Sequence, residues 1–116
     1  YIGTDITEVK RINKLLLRIG ERFKNKVFTT LEQKYCDSKS IPAIHYAGRF
    51  SAKEAIIKSI KSSGYKNTIS FKSIEVLPSD SGIPLVFLHF ELECECKVSI
   101  SHINSYATAT ALYIQK

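Results

Sequence analysis

Three short stretches of the chain carry residue types that do chemistry. "GTDI" near the start holds Asp5, "GRFSAKEAIIK" in the middle holds Glu54 and Lys58, and "VSISH" toward the end holds His102. Glu54 and Lys58 stand one helical turn apart in a segment whose alanines and isoleucines otherwise suit it to packing. On a helix turning about 100° per residue, Ala47, Phe50, Glu54, Lys58 and Lys61 fall within about 40° of one line. Ala52, Ile56 and Ile60 fall largely on the opposite side and are the core candidates. A carboxylate and an ammonium so placed form an exposed ion pair worth about 0.2–0.5 kcal/mol, or they handle a charged substrate. Asp5 also has a plain use, capping a helix that starts at Ile6 or Thr7. His102, beside Ser99 and Ser101 at a strand end, has one as a hydrogen-bonded structural histidine. Taken singly, the plain uses are the better supported.

The elements that must position these residues follow from periodicity. "YIGTDI" alternates, with Ile2, Thr4 and Ile6 on one face and Gly3 and Asp5 on the other, which predicts a short strand. From Glu8 to about Phe23, Ile12, Leu15, Leu16, Ile19 and Phe23 form one apolar helical stripe, with Arg11, Lys14, Arg18 and Arg22 in a basic stripe beside it. "FTTLEQKYC" starts another helix, with Thr30 as its N-cap and Gln33 in the capping-box position. A long helix runs from Ile44 to about Lys61 and ends in the turn residues of "SSGYKN". "ISFKSIEVL" and "LVFLHF" flank "PSDSGIP" as a hairpin, and "KVSIS" and "YATATALYI" flank a tight "HINS" connection. The pattern is α+β: a small antiparallel sheet packed with one long helix and shorter helices, without repeats or low-complexity tracts.

At 116 residues the chain supports one hydrophobic core, so residues 1–116 are read as a single domain. A composition of 44% hydrophobic against 24% charged residues suits a soluble globular protein. No apolar run approaches the roughly 20 residues of a membrane span. The opening lacks a basic region followed by an apolar stretch, so no signal peptide is read there and the cytoplasm is the expected location. Three cysteines, with Cys94 and Cys96 two apart, fit neither a disulfide framework nor a zinc spacing. A charge of +6 points to an anionic partner: nucleic acid, an acidic protein or a phosphorylated small molecule. The nucleic-acid reading ranks second. No run matches an RNA-recognition signature, and Phe71, Phe87 and Phe90 are spread through the hairpin as core residues are.

The three stretches occur in a fixed order, with "TEVKRI" after the first, "RF" before "FTTLEQKYC", and a Gly-x-Pro turn at Gly82 and Pro84. As a set, covering nearly the whole chain, they resemble the holo-[acyl-carrier-protein] synthases, the small bacterial class of 4'-phosphopantetheinyl transferases. The resemblance implies that family's fold and its reaction in fatty-acid biosynthesis. The phosphopantetheine arm of coenzyme A passes to a serine of an acyl carrier protein, and adenosine 3',5'-bisphosphate is released.

The resemblance also implies roles. Asp5 and Glu54 match the family's metal-binding acids, and Mg²⁺ favours one or two carboxylates plus substrate phosphates. Lys58 would stand beside the phosphates as a compact positive charge. The serine proton would go to Glu54, directly or through a water on the metal, with His102 as the alternative base. His102 would equally serve, with Ser101, to bind phosphate or ribose. The family's Gly-rich loop is here "SSGYKN", where Ser62, Gly64 and Lys66 would meet coenzyme A. The turn at Gly82 and Pro84 would do so too, with Ile83 where the family has lysine. Arg11 and Arg18, flanked by Lys14 and Arg22 and with Leu15 as the apolar contact, would dock the acidic carrier protein. The implied assembly is a homotrimer with sites between subunits, Asp5, Glu54 and Lys58 coming from one and His102, Gly82 and Pro84 from its neighbour.

Overall fold

The computed structural model describes residues 1–116. In chain order the elements are β1 (Ile2–Glu8), α1 (Val9–Val27), α2 (Thr30–Asp37), α3 (Pro42–Ser62), a 3₁₀ turn (Phe71–Ser73), β2 (Ile74–Pro78), β3 (Pro84–Leu88), β4 (Cys94–His102) and β5 (Tyr106–Gln115). The strands form two antiparallel sheets, β1-β5-β4 and β2-β3. No helix is long and apolar enough to cross a membrane.

α3 is the central element. Pro42 stands at its first turn, where its missing N–H costs nothing, and Ser63 and Gly64 end it, with Gly64 at φ 95°. Thirteen of its 21 residues are buried, so it is packed nearly all round and not on a single face. The three-stranded sheet lies against one side, presenting small residues: Gly3 on β1 and Ala107, Ala109 and Ala111 on β5. Gly3 is required by this approach. A Cβ there would lie 2.1 Å from the Ala55 carbonyl oxygen and 2.7 Å from the Ser59 nitrogen. The alternation of β1 is as the sequence predicts, with Gly3, Asp5 and Thr7 turned toward α3 and Ile2, Thr4 and Ile6 outward. The outer sheet face is an apolar row at the surface, in which Ile2 is 63% and Ile6 67% exposed, with Leu112 and Ile114 beside them.

A buried ion pair ties the helices to the second sheet. Lys53 Nζ lies 2.7 Å from Glu32 Oε1, and both side chains are wholly inaccessible. Lys53 also donates to the carbonyls of Val27 (2.7 Å) and Phe71 (3.0 Å), while Glu32 accepts from the backbone N–H groups of Thr29 and Val76. Five segments meet on one pair, which pins α3 next to Glu54.

Local details depart from the sequence reading. The cap of α2 is Thr29, not Thr30, and the capping-box partner is Glu32, not Gln33. Two adjacent threonines offer the same chemistry, and burial of Glu32 against Lys53 selects the register. Gln33 instead closes the α1–α2 corner on the Lys24 and Phe28 carbonyls. α1 continues to Val27 but leaves helical geometry at Ile19 (φ −131°, ψ 20°), just before Gly20, the residue holding helix most weakly. Ile19 is therefore 42% exposed and outside the apolar stripe. Phe71 lies in the 3₁₀ turn, not in a strand, and Phe87 is 43% exposed.

Candidate active site

The structure brings Asp5, Glu54 and Lys58 together. Asp5 sits on β1 and so does not cap a helix, and the close packing at Gly3 sets it beside the middle of α3. Its Oδ2 accepts hydrogen bonds from Thr7 Oγ1 and Ser51 Oγ, both at 3.0 Å. Its Oδ1 lies 3.7 Å from Lys58 Nζ, which also donates to the Thr4 carbonyl at 3.0 Å. Lys58 is thus spent on β1, and the i, i+4 pair with Glu54 does not form within 4.0 Å. Glu54 is half-buried and takes no ion pair. Burial pushes its carboxyl above the usual range and the negative charge of Asp5 adds to this, while Lys58 and Arg11 pull it back. Arg11 rests over the Phe50 ring, 5.8 Å from its centroid, and so borders this group.

His102 is elsewhere. It lines a cleft of about 460 Å³ with Gly82, Pro84, Arg49, His45 and Tyr35. On α3, Arg49 and His45 point about 140–180° away from Glu54. The Asp5–Glu54–Lys58 group and the His102 cleft therefore lie on opposite sides of one helix. The His102 ring packs against the His45 ring at 5.8 Å. Arg49 is 6% exposed, stacks 4.2 Å over Tyr35 and donates from Nε to the Val76 carbonyl at 3.4 Å. No carboxylate lies within ion-pair distance of it. A buried guanidinium without a counter-charge, lining a cleft, is chemistry for an anion. His45 is held below its usual value by burial first and then by Arg49, His102 and Lys39.

The other sequence candidates scatter. Gly82 adopts φ 85° in the β2–β3 turn. Ser101 faces the outer side of the sheet beside Ile6 and Thr108, outside the cleft. Ser62 turns its hydroxyl back to the Ser59 carbonyl, and Lys66 is exposed beyond Gly64. Arg11, Lys14, Arg18 and Arg22 are exposed along α1, whereas Leu15 is half-buried against the core. Arg49, His45, Thr7 and Ser51 were not legible as site residues. The only signal was a cation four residues from a histidine on a face otherwise read as apolar. The thiols are free, and burial pushes Cys36 and Cys96 each up to about 12, which disfavours the thiolate there.

The paired carboxylates suit a hard divalent cation. The charge of Asp5 acts against that of Glu54, both donors are oxygen, and no third His, Cys, Asp or Glu completes an all-protein cage. That is the donor set of a Mg²⁺ shared with substrate oxygens, so the residues fit the ion.

Known proteins resemble the chain over nearly its whole length. Residues 1–111 match the family model described as the 4'-phosphopantetheinyl transferase superfamily. The chain is 42% identical over 117 residues to the holo-[acyl-carrier-protein] synthase of Protochlamydia amoebophila, covering 97% of this chain and 95% of that one. It is 45% identical over 112 residues to the one from Chlorobaculum parvum, covering 96% and 95%. Among solved structures, the Chronobacterium ammoniagenes ACPS–CoA complex superposes with a TM-score of 0.86 at 31% identity, over 99% of this chain and 96% of that one. A Bacillus anthracis holo-(acyl-carrier-protein) synthase in complex with CoA (3',5'-ADP) gives 0.84 at 31%, over the same shares. The chain belongs to the 4'-phosphopantetheinyl transferase superfamily, among its holo-[acyl-carrier-protein] synthases.

Proposed function

We propose that residues 1–116 form one catalytic domain that moves the 4'-phosphopantetheine arm of coenzyme A onto a serine of an acyl carrier protein, in the cytoplasm, for fatty-acid biosynthesis. The serine oxygen forms a bond to the phosphorus bearing the pantetheine arm. The pyrophosphate P–O bond breaks, and adenosine 3',5'-bisphosphate leaves. The observation that carries this reading is the Asp5–Glu54 carboxylate pair beside Lys58, held on tightly packed backbone. Mg²⁺, held by Asp5 and Glu54, would supply charge neutralisation at the pyrophosphate. Glu54, directly or through a water, takes the serine proton, with His102 as the alternative base. Lys58 offsets charge on the departing bisphosphate.

The nucleotide's other phosphate has a counter-charge in the Arg49 cleft, with His102, Gly82 and Pro84 around it. Because the two half-sites face opposite ways from α3, a complete site takes one half from each of two subunits. The exposed apolar row of Ile2, Ile6, Leu112 and Ile114 suits burial against further copies, which supports a homotrimer. The basic stripe of Arg11, Lys14, Arg18 and Arg22 receives the acidic carrier protein.

The test is mass spectrometry of an apo carrier protein incubated with coenzyme A, with and without Mg²⁺. Arm transfer with equimolar bisphosphate is expected, abolished by EDTA, by Asp5→Ala and by Glu54→Gln. Mixed trimers of Glu54→Gln and His102→Ala subunits should recover activity above either parent. Full turnover in Asp5→Ala would defeat the metal assignment, and a monomer in sedimentation would defeat the shared site.

A further inference from the structure

Asp5 is clamped in an unusual way. Thr7 is 2% exposed and Ser51 is fully buried, so neither hydroxyl has water to turn to. Thr7 Oγ1 and Ser51 Oγ both reach the same carboxylate oxygen, Asp5 Oδ2, at 3.0 Å. They lie 3.2 Å from each other, and the one other acceptor in reach of Ser51 is the Ala107 carbonyl at 3.3 Å. Each hydroxyl has a single proton to give, and the charged oxygen is the strongest acceptor available. The two residues come from β1 and α3 and the carbonyl from β5, so the clamp is built where three elements join. Asp5 Oδ2 faces inward and is saturated. Oδ1 has only the Lys58 ammonium, at 3.7 Å, and so keeps room for an outside ligand.

We propose that Thr7 and Ser51 make Asp5 a one-oxygen donor and thereby set the site's choice of Mg²⁺ over Ca²⁺. Mg²⁺ takes six ligands in strict octahedral geometry and keeps several waters, so one oxygen per carboxylate suits it. Ca²⁺ accommodates six to eight ligands and accepts carboxylates with both oxygens. Two-oxygen binding by Asp5 would pull Oδ2 from both hydroxyls, leaving Ser51 only the longer contact to the Ala107 carbonyl and Thr7 only the Ser51 hydroxyl, where no water reaches. The clamp therefore leaves Mg²⁺ unhindered and denies Ca²⁺ a preferred mode. Thr7 and Ser51 are positioning residues that act through Asp5.

This rests on Asp5 being a metal ligand, and the experiment separates the two claims. Mn²⁺ binding to the protein with coenzyme A is followed by electron paramagnetic resonance, and Mg²⁺ and Ca²⁺ are titrated as competitors. Wild type should bind Mn²⁺ and Asp5→Ala should not; equal binding by both would remove the metal assignment itself. In Thr7→Val/Ser51→Ala, the Mg²⁺ over Ca²⁺ preference should fall about tenfold, within the 10–100-fold range of such supporting contacts. The single variant Ser51→Ala should fall part of the way, and Thr7→Ser, which keeps the hydroxyl, should restore the wild-type ratio. If the double variant fails to fold by circular dichroism, the single variants Thr7→Val and Ser51→Ala carry the same comparison. A ratio within twofold of wild type in Ser51→Ala, or equal losses for both ions, would overturn the clamp as a selector.

Discussion

Replacing Gly3 by alanine perturbs the contact on which the carboxylate pair depends. The added Cβ would lie 2.1 Å from the Ala55 carbonyl oxygen, and contacts under 3.0 Å are essentially never seen, so β1 must retreat from α3 by about 0.9 Å. The obstacle is backbone of the central helix and cannot rotate aside. Overpacking of this kind costs about 1–3 kcal/mol. With an unfolding entropy of about 2.1 cal/mol/K per residue, that lowers the melting temperature by roughly 4–12 °C. The same retreat carries Asp5 away from Glu54 and Lys58, and a displacement near 1 Å at a reacting centre costs on the order of 10²-fold in rate. Gly20→Ala is the matched control. Nothing lies within 4 Å of its added Cβ and its φ is not positive, so about 0.5–1 kcal/mol of stabilisation is expected. Calorimetry and carrier-protein turnover on both variants check this. A Gly3→Ala protein melting and turning over like wild type would refute the close approach of β1 to α3 as the source of the site's geometry.

Glu54→Gln should raise the melting temperature of the metal-free protein at neutral pH. The folded state holds the Glu54 proton more tightly than the unfolded chain does. That contribution is complete below the unfolded pKa and is lost as pH rises through the higher folded value. The variant's advantage should therefore vanish in acid, and a gain independent of pH in thermal scans would contradict the assignment. Lys53→Met leaves the Glu32 carboxylate buried without its cation and should cost about 3–5 kcal/mol in urea unfolding. Adding Glu32→Gln should recover part of that loss, and a double variant no better than the single would argue against the pair. Arg49→Met should weaken coenzyme A at least tenfold by calorimetric titration while leaving dephospho-coenzyme A nearly unchanged, and equal losses for both would place the phosphate elsewhere.

Asp5, Glu54 and Lys58 each had a plainer use when read alone, and it was the ordered set of motifs, resembling one family, that singled them out. The order of helices and strands was legible from period alone. What local pattern could not carry was partnership across the chain. Lys53 reads as one more surface lysine until Glu32, 21 residues earlier, is found buried against it, and the same pairing decides between Thr29 and Thr30 as a cap. Arg49 and Ser51 sit on turns of α3 that look like plain helix. Their meaning comes from β2, β3 and β5, whose placement depends on sheet pairing that no window of a dozen residues contains.

The β1–β5 ladder joins Ile2 to Leu112 and Glu8 to Tyr106, the two ends of the described chain. Closing a loop of that length costs about 4 kcal/mol of chain entropy before any strand contact repays it. High sequence separation also slows folding relative to local helix formation. α1, α2 and α3 are local structures that form early. β1, made before the other described elements, has no edge to pair with until β5 exists. A nascent chain halted before Tyr106 therefore holds its helices without a fixed place for Asp5. Competence arrives with the last strand, and a partly made chain has no assembled carboxylate pair with which to capture a cation or a nucleotide.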